Sequence, residues 1–333
     1  MSLPKFEYFA PKILNRAISL QKDGGKFLAG GTDLFVGMKQ RTCRPDRLID
    51  LGAVSSLKKI RWNRKDGLRV GSRTTLTHLE ENPHVKKHFP TLSRIITLVS
   101  TPPLRNMGTI GGNLCLDSRC YYYNQPSLLK KRWEPCLKMG GQVCHVVKGG
   151  NSCLAVYSGD MAAPLIALGA RVKVVGPDGD TKELELKDLY SGSGIRPNVL
   201  KSNEILTEIV IPNPPKYSGL SYQKLRLRDT MDFPLLGIAV MVCLDKPHGK
   251  CLDFRMVISA VGPTPMVVEE AREIMCGKVI TPELTEEVIQ VAQKMAHPVA
   301  NTAAEPRYRR EMVPVLTRQA IQEALDRVNI NSI

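Results

Sequence analysis

Phe27-Leu28-Ala29-Gly30-Gly31-Thr32-Asp33-Leu34, read together with Thr109-Ile110-Gly111-Gly112-Asn113-Leu114, decides how this chain folds. In the first stretch a short run around Lys26 to Ala29 reads as a strand, two glycines break it, and Asp33 to Lys39 opens a helical pattern. Glycine lacks a Cβ, so backbone N–H groups there can approach phosphate oxygens, and a helix start adds partial positive charge. The same stretch also fits a tight turn in which Thr32 or Asp33 caps the helix. The second stretch repeats the diglycine after Thr101-Pro102-Pro103-Leu104-Arg105-Asn106-Met107-Gly108, and it too could be a plain loop. Two such loops, roughly 80 residues apart, could clamp the two ends of one pyrophosphate if the fold brings them together. Neither is a G-x-G-x-x-G fingerprint, so a nicotinamide-type dinucleotide fold is not indicated.

Working outward, punctuation and periodicity divide the chain into three regions. Residues 1–57 read as a small α/β unit, with helical spacing over Ile13 to Leu20 and a second strand over Arg47 to Leu51. Residues 58–215 read as mixed. Leu57 to Trp62, Leu68 to Val70 and Ile205 to Ile211 are strand-like, while Thr75 to Glu81 and Leu92 to Ser100 are helix-like. Arg171 to Val175 and Lys182 to Leu186 flank an Asp178-Gly179 turn and predict a hairpin. Residues 216–333 read as α+β: strands over Ser221 to Arg226, Ile238 to Leu244 and Leu252 to Val261 precede helices over Val268 to Cys276, Leu284 to Met295 and Pro314 to Val328. Gly277 sits where a helix C-cap glycine belongs.

The 333 residues are 43% hydrophobic, ample for a buried core. The formal charge of +15 admits nucleic acid, an acidic partner, a polyanionic ligand or simply a solvated basic surface. No basic run alternates with aromatics as a base-stacking groove requires, and the longest, Lys130-Lys131-Arg132, is short, so nucleic acid is not expected as a partner. No apolar run reaches the about 18 residues of a membrane span. Met1 to Glu7 lacks a charged-then-apolar signal pattern, so a cytoplasmic protein is expected. Nine cysteines, an odd count, argue against a disulfide framework.

The pair A-G-G-T-D-L and R-N-M-G-T-I-G-G-N-L resembles the flavin (medium) subunits of the molybdenum hydroxylase, or xanthine oxidase, family. The likeness runs through Gly159-Asp160 with Ala162 to Ala170, Glu204-Ile205-Leu206 before Ile211-Pro212, and Tyr222-Gln223-Lys224. It implies an α+β fold in which a bipartite FAD-binding domain is followed by an α+β C-terminal domain. Non-covalent FAD would lie extended between the first two regions. Carried over position by position, Phe27, Leu28, Ala29, Gly30, Gly31, Thr32, Asp33 and Leu34, with Thr109, Ile110, Gly111, Gly112 and Asn113, would hold the pyrophosphate and nearby groups. Asp160, Leu206 and Lys224 would line the rest, and Thr101 is a further candidate. No residue pattern calls for a catalytic base or nucleophile, because flavin chemistry belongs to the cofactor.

Residues 117–157 depart from that family pattern. They have little periodicity, and they carry Cys120, Cys136, Cys144 and Cys153. Four thiolates suit tetrahedral zinc or an iron–sulfur cluster. With no Cys-x-x-Cys pair, spacing alone leaves cluster, zinc and uncommitted thiols all open. Asp117 to Gln125, Cys136-Leu137-Lys138 and Cys144-His145-Val146 resemble the insertion in the β subunits of 4-hydroxybenzoyl-CoA reductases. That resemblance implies a four-iron four-sulfur cluster on these four cysteines; His145 reads as structural, since such clusters are held by cysteine thiolates. The resemblance also implies a large molybdenum-cofactor partner, a small two-iron two-sulfur partner, a dimer of heterotrimers, and electrons flowing inward; a ferredoxin-like donor is expected from the charge of the insertion. From Arg119 to Tyr157 the bases Arg119, Lys130, Lys131, Arg132, Lys138 and Lys148 face one acid, Glu134, a net +5 that suits an acidic donor or offsets the cluster's own charge. Two rivals stand beside this reading: the flavin subunit of an oxidising xanthine, aldehyde or carbon monoxide dehydrogenase, and a zinc-stabilised nucleic-acid binder.

Overall fold

The computed structural model describes residues 2–21 and 24–330. The chain begins with β1 (Glu7–Phe9), α1 (Leu14–Ser19), β2 (Gly25–Leu28), α2 (Leu34–Lys39) and β3 (Arg47–Asp50). These strands form a parallel sheet in the order β1-β3-β2, with Phe9 and Phe27 both opposite Ile49. Its core gathers Ala17, Ile18, Ile49, Leu51, Val54 and Leu57, and Ile205 reaches in from far along the chain. Leu57 is expected in a strand. It instead closes a 3-10 turn over Ser55–Lys58, because its side chain turns inward onto this core.

The middle of the chain supplies β4 (Ile60–Asn63), β5 (Gly67–Gly71), α3 (Leu76–Glu81), α4 (Pro83–His88), α5 (Pro90–Thr97), α6 (Pro102–Met107), α7 (Ile110–Leu114), α8 (Ser127–Lys130), α9 (Ala162–Ala167), β6 (Arg171–Val175), β7 (Thr181–Glu185) and β8 (Ile205–Ile211). The five strands make an antiparallel sheet in the order β4-β5-β8-β6-β7. The hairpin forms as expected, with Asp178 and Gly179 in the left-handed region that lets the two strands reverse. The sequence pattern does not predict α4 or α6. Both start on prolines, whose fixed φ suits a first helical turn as well as a loop.

The last third holds β9 (Ser218–Leu225), β10 (Leu236–Leu244), β11 (Cys251–Ser259), β12 (Met266–Val267), α10 (Glu269–Met275), α11 (Pro282–Met295) and α12 (Pro306–Ile330). Its antiparallel sheet, order β12-β11-β10-β9, is buried on both faces. Ile238, Val240 and Val242 point to the three C-terminal helices, while Ala239, Met241 and Cys243 point to the core around α9. Each buried Ile, Val or Met side chain among them contributes about 1.5–3 kcal/mol. The sequence pattern predicts the last helix from Pro314, but the helix starts two turns earlier and carries Pro314 inside it. The first turns are held by Arg309, which is fully buried and donates to the carbonyls of Leu235, Val299 and Ala260 and to Asn301 Oδ1. These bonds offset the hydrogen bond that proline removes. No helix among the described residues is long and apolar enough to cross a membrane.

Candidate functional site

The two diglycine loops meet. A Cβ placed on Gly30 would fall 2.0 Å from the carbonyl oxygen of Met107 and 3.1 Å from the Cα of Gly108, so only glycine allows this approach. Ala29 lies 4.0 Å from the Cβ position of Gly112, and Thr32 Oγ1 lies 3.7 Å from that of Gly108. Phe27 and Leu28 bring the chain in on β2, and Leu34 starts α2 behind the turn.

The loops differ in what their amides are free to do. In the second, Ile110 and Gly111 donate to the carbonyls of Thr74 and Ser72, Gly112 donates to Thr109 Oγ1, and Asn113 donates to the Thr109 carbonyl. In the first, among the described residues, the amides of Gly31, Thr32 and Asp33 donate to no protein acceptor. They stand before α2, where backbone N–H groups and the helix dipole favour an anion. The donor set fits a diphosphate: the first loop offers the hydrogen bonds, and the second forms the rigid wall against which it is pressed.

Neighbours hold both loops. Arg119 pairs with Asp33 at 2.7 Å and lies 4.3 Å over the Phe233 ring. Burial pushes the Asp33 carboxyl up, and the Arg119 charge pulls it back. Asn113 accepts from the Met161 amide at 3.0 Å through its side chain and from the Tyr157 hydroxyl at 2.9 Å through its carbonyl. Thr101 is the N-cap residue of α6. Leu206 is buried in β8 within the central core. Asp160 and Lys224 are engaged with each other at 2.9 Å, 4% and 2% exposed, and the pair also takes the Tyr222 hydroxyl and the Leu98 carbonyl. They join the middle region to the C-terminal sheet.

Cys120, Cys136, Cys144 and Cys153 line one small cavity of about 20 Å³. The turn that presents Cys136 is tight: Met139 and Gly141 both donate to the Cys136 carbonyl, and Leu137 donates to Val143, which draws Cys144 alongside. A Cβ on Gly141 would overlap the Pro135 carbonyl at 1.6 Å. Burial pushes the Cys120 and Cys153 thiols up. Amides of Tyr122 and Tyr123 bond to the Cys120 sulfur, that of Ala155 bonds to the Cys153 sulfur, and each lowers its thiol in turn. His145 donates Nε2–H to the Glu134 carbonyl at 2.8 Å, which occupies that nitrogen. No three of the candidate ligands close on a single ion among the described residues. Tetrahedral zinc, with Zn–S of about 2.3 Å, needs sulfurs about 3.8 Å apart; a polynuclear cluster needs a wider cage. Cys115 lies outside this set, with its thiol pushed up to about 12 by burial.

A cofactor-binding α+β protein, whose two glycine turns face each other beside a thiol-lined cavity, is the class these features define. Residues 4–214 match the family of the FAD binding domain in molybdopterin dehydrogenase, and residues 221–324 match the CO dehydrogenase flavoprotein C-terminal domain. This chain therefore belongs to the FAD-binding subunits of the molybdenum hydroxylase family. It is 27% identical over 328 residues to the nicotinate dehydrogenase FAD-subunit of Eubacterium barkeri, covering 97% of each chain. It is 31% identical to the aldehyde oxidoreductase FAD-binding subunit of Escherichia coli, covering 77% of this chain and 80% of the relative. Among solved structures, carbon monoxide dehydrogenase from Hydrogenophaga pseudoflava superimposes with a TM-score of 0.81 at 26% identity, over 98% of this chain and 99% of that one.

Sequence reasoning does not find Ser72 and Thr74, which take up the second loop's amides through their carbonyls, because a backbone acceptor leaves no residue-type signal. Arg119 is also missed as the partner of the first loop, although its place beside Cys120 is a hint.

Proposed function

We propose that this chain is the electron-relay subunit of a 4-hydroxybenzoyl-CoA reductase-type complex. It would take electrons from a ferredoxin-like donor and pass them inward to a small two-iron two-sulfur subunit and a large molybdenum subunit, in a dimer of heterotrimers. The observation that carries the reading is the convergence of the four insertion cysteines on one cavity, with Arg119, the neighbour of Cys120, paired to Asp33 of the first loop. In this reading Cys120, Cys136, Cys144 and Cys153 hold a four-iron four-sulfur cluster. The amides of Gly31, Thr32 and Asp33 hold the FAD diphosphate. Phe27 to Leu34 and Thr109 to Asn113 form the walls, while Thr101 and Leu206 bound the site and Asp160 with Lys224 braces it. The cofactors supply exchange of one or two electrons, which lets a one-electron carrier meet a two-electron reaction. The protein's own part is to orient them, exclude water and set local charge. The relatives' names, FAD-subunit and medium chain, describe members of larger assemblies and support the partners.

The relatives named as nicotinate and carbon monoxide dehydrogenases favour a second reading, an oxidising complex in which electrons leave through the flavin. Assay of the whole complex with hydroxybenzoyl-CoA substrates against purines and aldehydes separates the two.

The cluster reading is tested by anaerobic purification of the complex and counts of iron, sulfide and flavin. Cys136→Ser and Cys144→Ser are each expected to lose about four irons per protomer while the flavin ratio stays at the wild-type value. Zinc in place of iron, or an unchanged iron count in both variants, would overturn the assignment.

Lys131, Arg132 and Lys148 are exposed on the insertion and suit an acidic donor. Lys131→Glu with Arg132→Glu is expected to slow reduction by a ferredoxin-like donor about tenfold or more at low salt, with the difference shrinking as ionic strength rises. Unchanged rates and salt dependence in stopped-flow reduction would place donor docking elsewhere.

A further inference from the structure

Among the described residues, one lysine is the only lysine, arginine, aspartate or glutamate lining the four-cysteine cavity: Lys138. Its side chain is 4% exposed. The ammonium is fixed by three acceptors, Asp117 Oδ1 at 2.8 Å, Ser118 Oγ at 2.7 Å and the Gly194 carbonyl at 2.7 Å. It also lies 5.0 Å from the Tyr123 ring centroid. Gly194 in turn packs against a proposed ligand: its amide donates to the Cys153 carbonyl at 3.1 Å, and a Cβ added to it would fall 2.8 Å from Cys153 Sγ.

We propose that Lys138 is a positioning residue that raises the reduction potential of the iron–sulfur group held by Cys120, Cys136, Cys144 and Cys153, an inference that rests on the cluster reading above. Reduction adds one electron, delivered by a one-electron iron–sulfur donor, and neither makes nor breaks a bond. A positive charge beside the cage favours the form with the extra negative charge. The counter-charge does not cancel it. Asp117 is 50% exposed, so water screens the carboxylate far more than the buried ammonium. All three ammonium donors are already used, so the charge is held without reorganisation as the electron arrives. A flexible surface lysine would be screened and mobile, whereas this one acts on the cavity at all times.

A purely structural role would have Lys138 clamp Asp117, Ser118 and Gly194 together and leave the potential alone. The two roles separate in a dye-mediated redox titration of the anaerobically purified complex, followed by the cluster's paramagnetic resonance signal and paired with iron and sulfide counts. Lys138→Met with a full iron count is expected to make the cluster harder to reduce by about tenfold in the one-electron equilibrium, which is about 59 mV more negative. Lys138→Arg is expected to stay near the wild-type value. Lys138→Gln, which removes the charge and keeps hydrogen-bond donors toward Asp117, Ser118 and Gly194, is expected to shift the midpoint the same way as Lys138→Met. An iron-replete Lys138→Met complex with an unmoved midpoint overturns the tuning role. If Lys138→Met loses its iron, Lys138→Gln decides: a negative shift supports the role and no shift overturns it. A wild-type complex lacking these irons overturns the cluster reading and the tuning role together, whereas iron present with no shift overturns only the latter.

Discussion

Gly30→Ala is expected to yield a complex that has lost nearly all its flavin, seen as loss of the absorbance near the flavin maxima and of flavin released by acid. The added methyl would sit 2.0 Å from the Met107 carbonyl oxygen and 2.8 Å from its carbon. Both are backbone atoms at the end of α6, so no side chain can swing aside. The first loop must draw back from the second, carrying the unpartnered amides of Gly31, Thr32 and Asp33 with it. Overpacking with room to adjust costs about 1–3 kcal/mol. A backbone clash falls at or beyond the upper end, and 3 kcal/mol is more than a hundredfold in cofactor affinity. Gly112→Ala is the control. Its nearest neighbour is the end of the Thr109 side chain at 2.9 Å, which can rotate, and Ala29 is at 4.0 Å. That variant should keep most of its flavin. Equal flavin contents in the two variants would mean that the approach of the loops does not hold the cofactor.

The difference between these two glycines could not be read from the sequence. Both diglycines, the strand that delivers the first and the Asp178-Gly179 hairpin follow from local pattern, because apolar period and turn chemistry act over a few residues. Ile205–Ile211 is a strand at its predicted ends, since Pro212 forbids continuation. The use made of the amides is a tertiary matter. The second loop repeats the motif of the first, yet Ser72 and Thr74 consume its donors, and neither carbonyl leaves a mark on residue type. Arg119 and Asp33, 86 positions apart, pair only because the insertion folds back over the first loop. The convergence of four cysteines without a Cys-x-x-Cys pair likewise depends on the turn from Pro135 to Gly141, which spacing does not encode. Pro314 misled for the opposite reason: a sound local rule places proline at a helix start, and the buried bonds of Arg309 override it.

Lys224→Met is expected to destabilise the protein by about 3–5 kcal/mol near neutral pH, the range for removing one partner of a buried ion pair. The methionine fills similar volume, so the loss comes from charge. It leaves Asp160 buried with only the Tyr222 hydroxyl to receive, and the Leu98 carbonyl loses its donor. The sign of the pH dependence follows from the same contacts. Burial pushes the Asp160 carboxyl up, while Lys224 and then Tyr222 pull it down. Without Lys224 the folded-state value rises further above that of the unfolded chain. A group raised in this way contributes stability that is full below its unfolded value, about 3.9 for aspartate, and lost as pH climbs through the folded value. The deficit of Lys224→Met should therefore narrow on acidification, as the buried carboxyl takes up a proton. Asp160→Asn in the same chain should recover most of the loss at neutral pH, since a neutral amide can still accept from Tyr222. Thermal release of flavin fluorescence at pH 8 and pH 5 measures all three forms. A deficit independent of pH, or a double variant no better than Lys224→Met alone, would show that the pair's charge is not what ties the C-terminal sheet to the middle region.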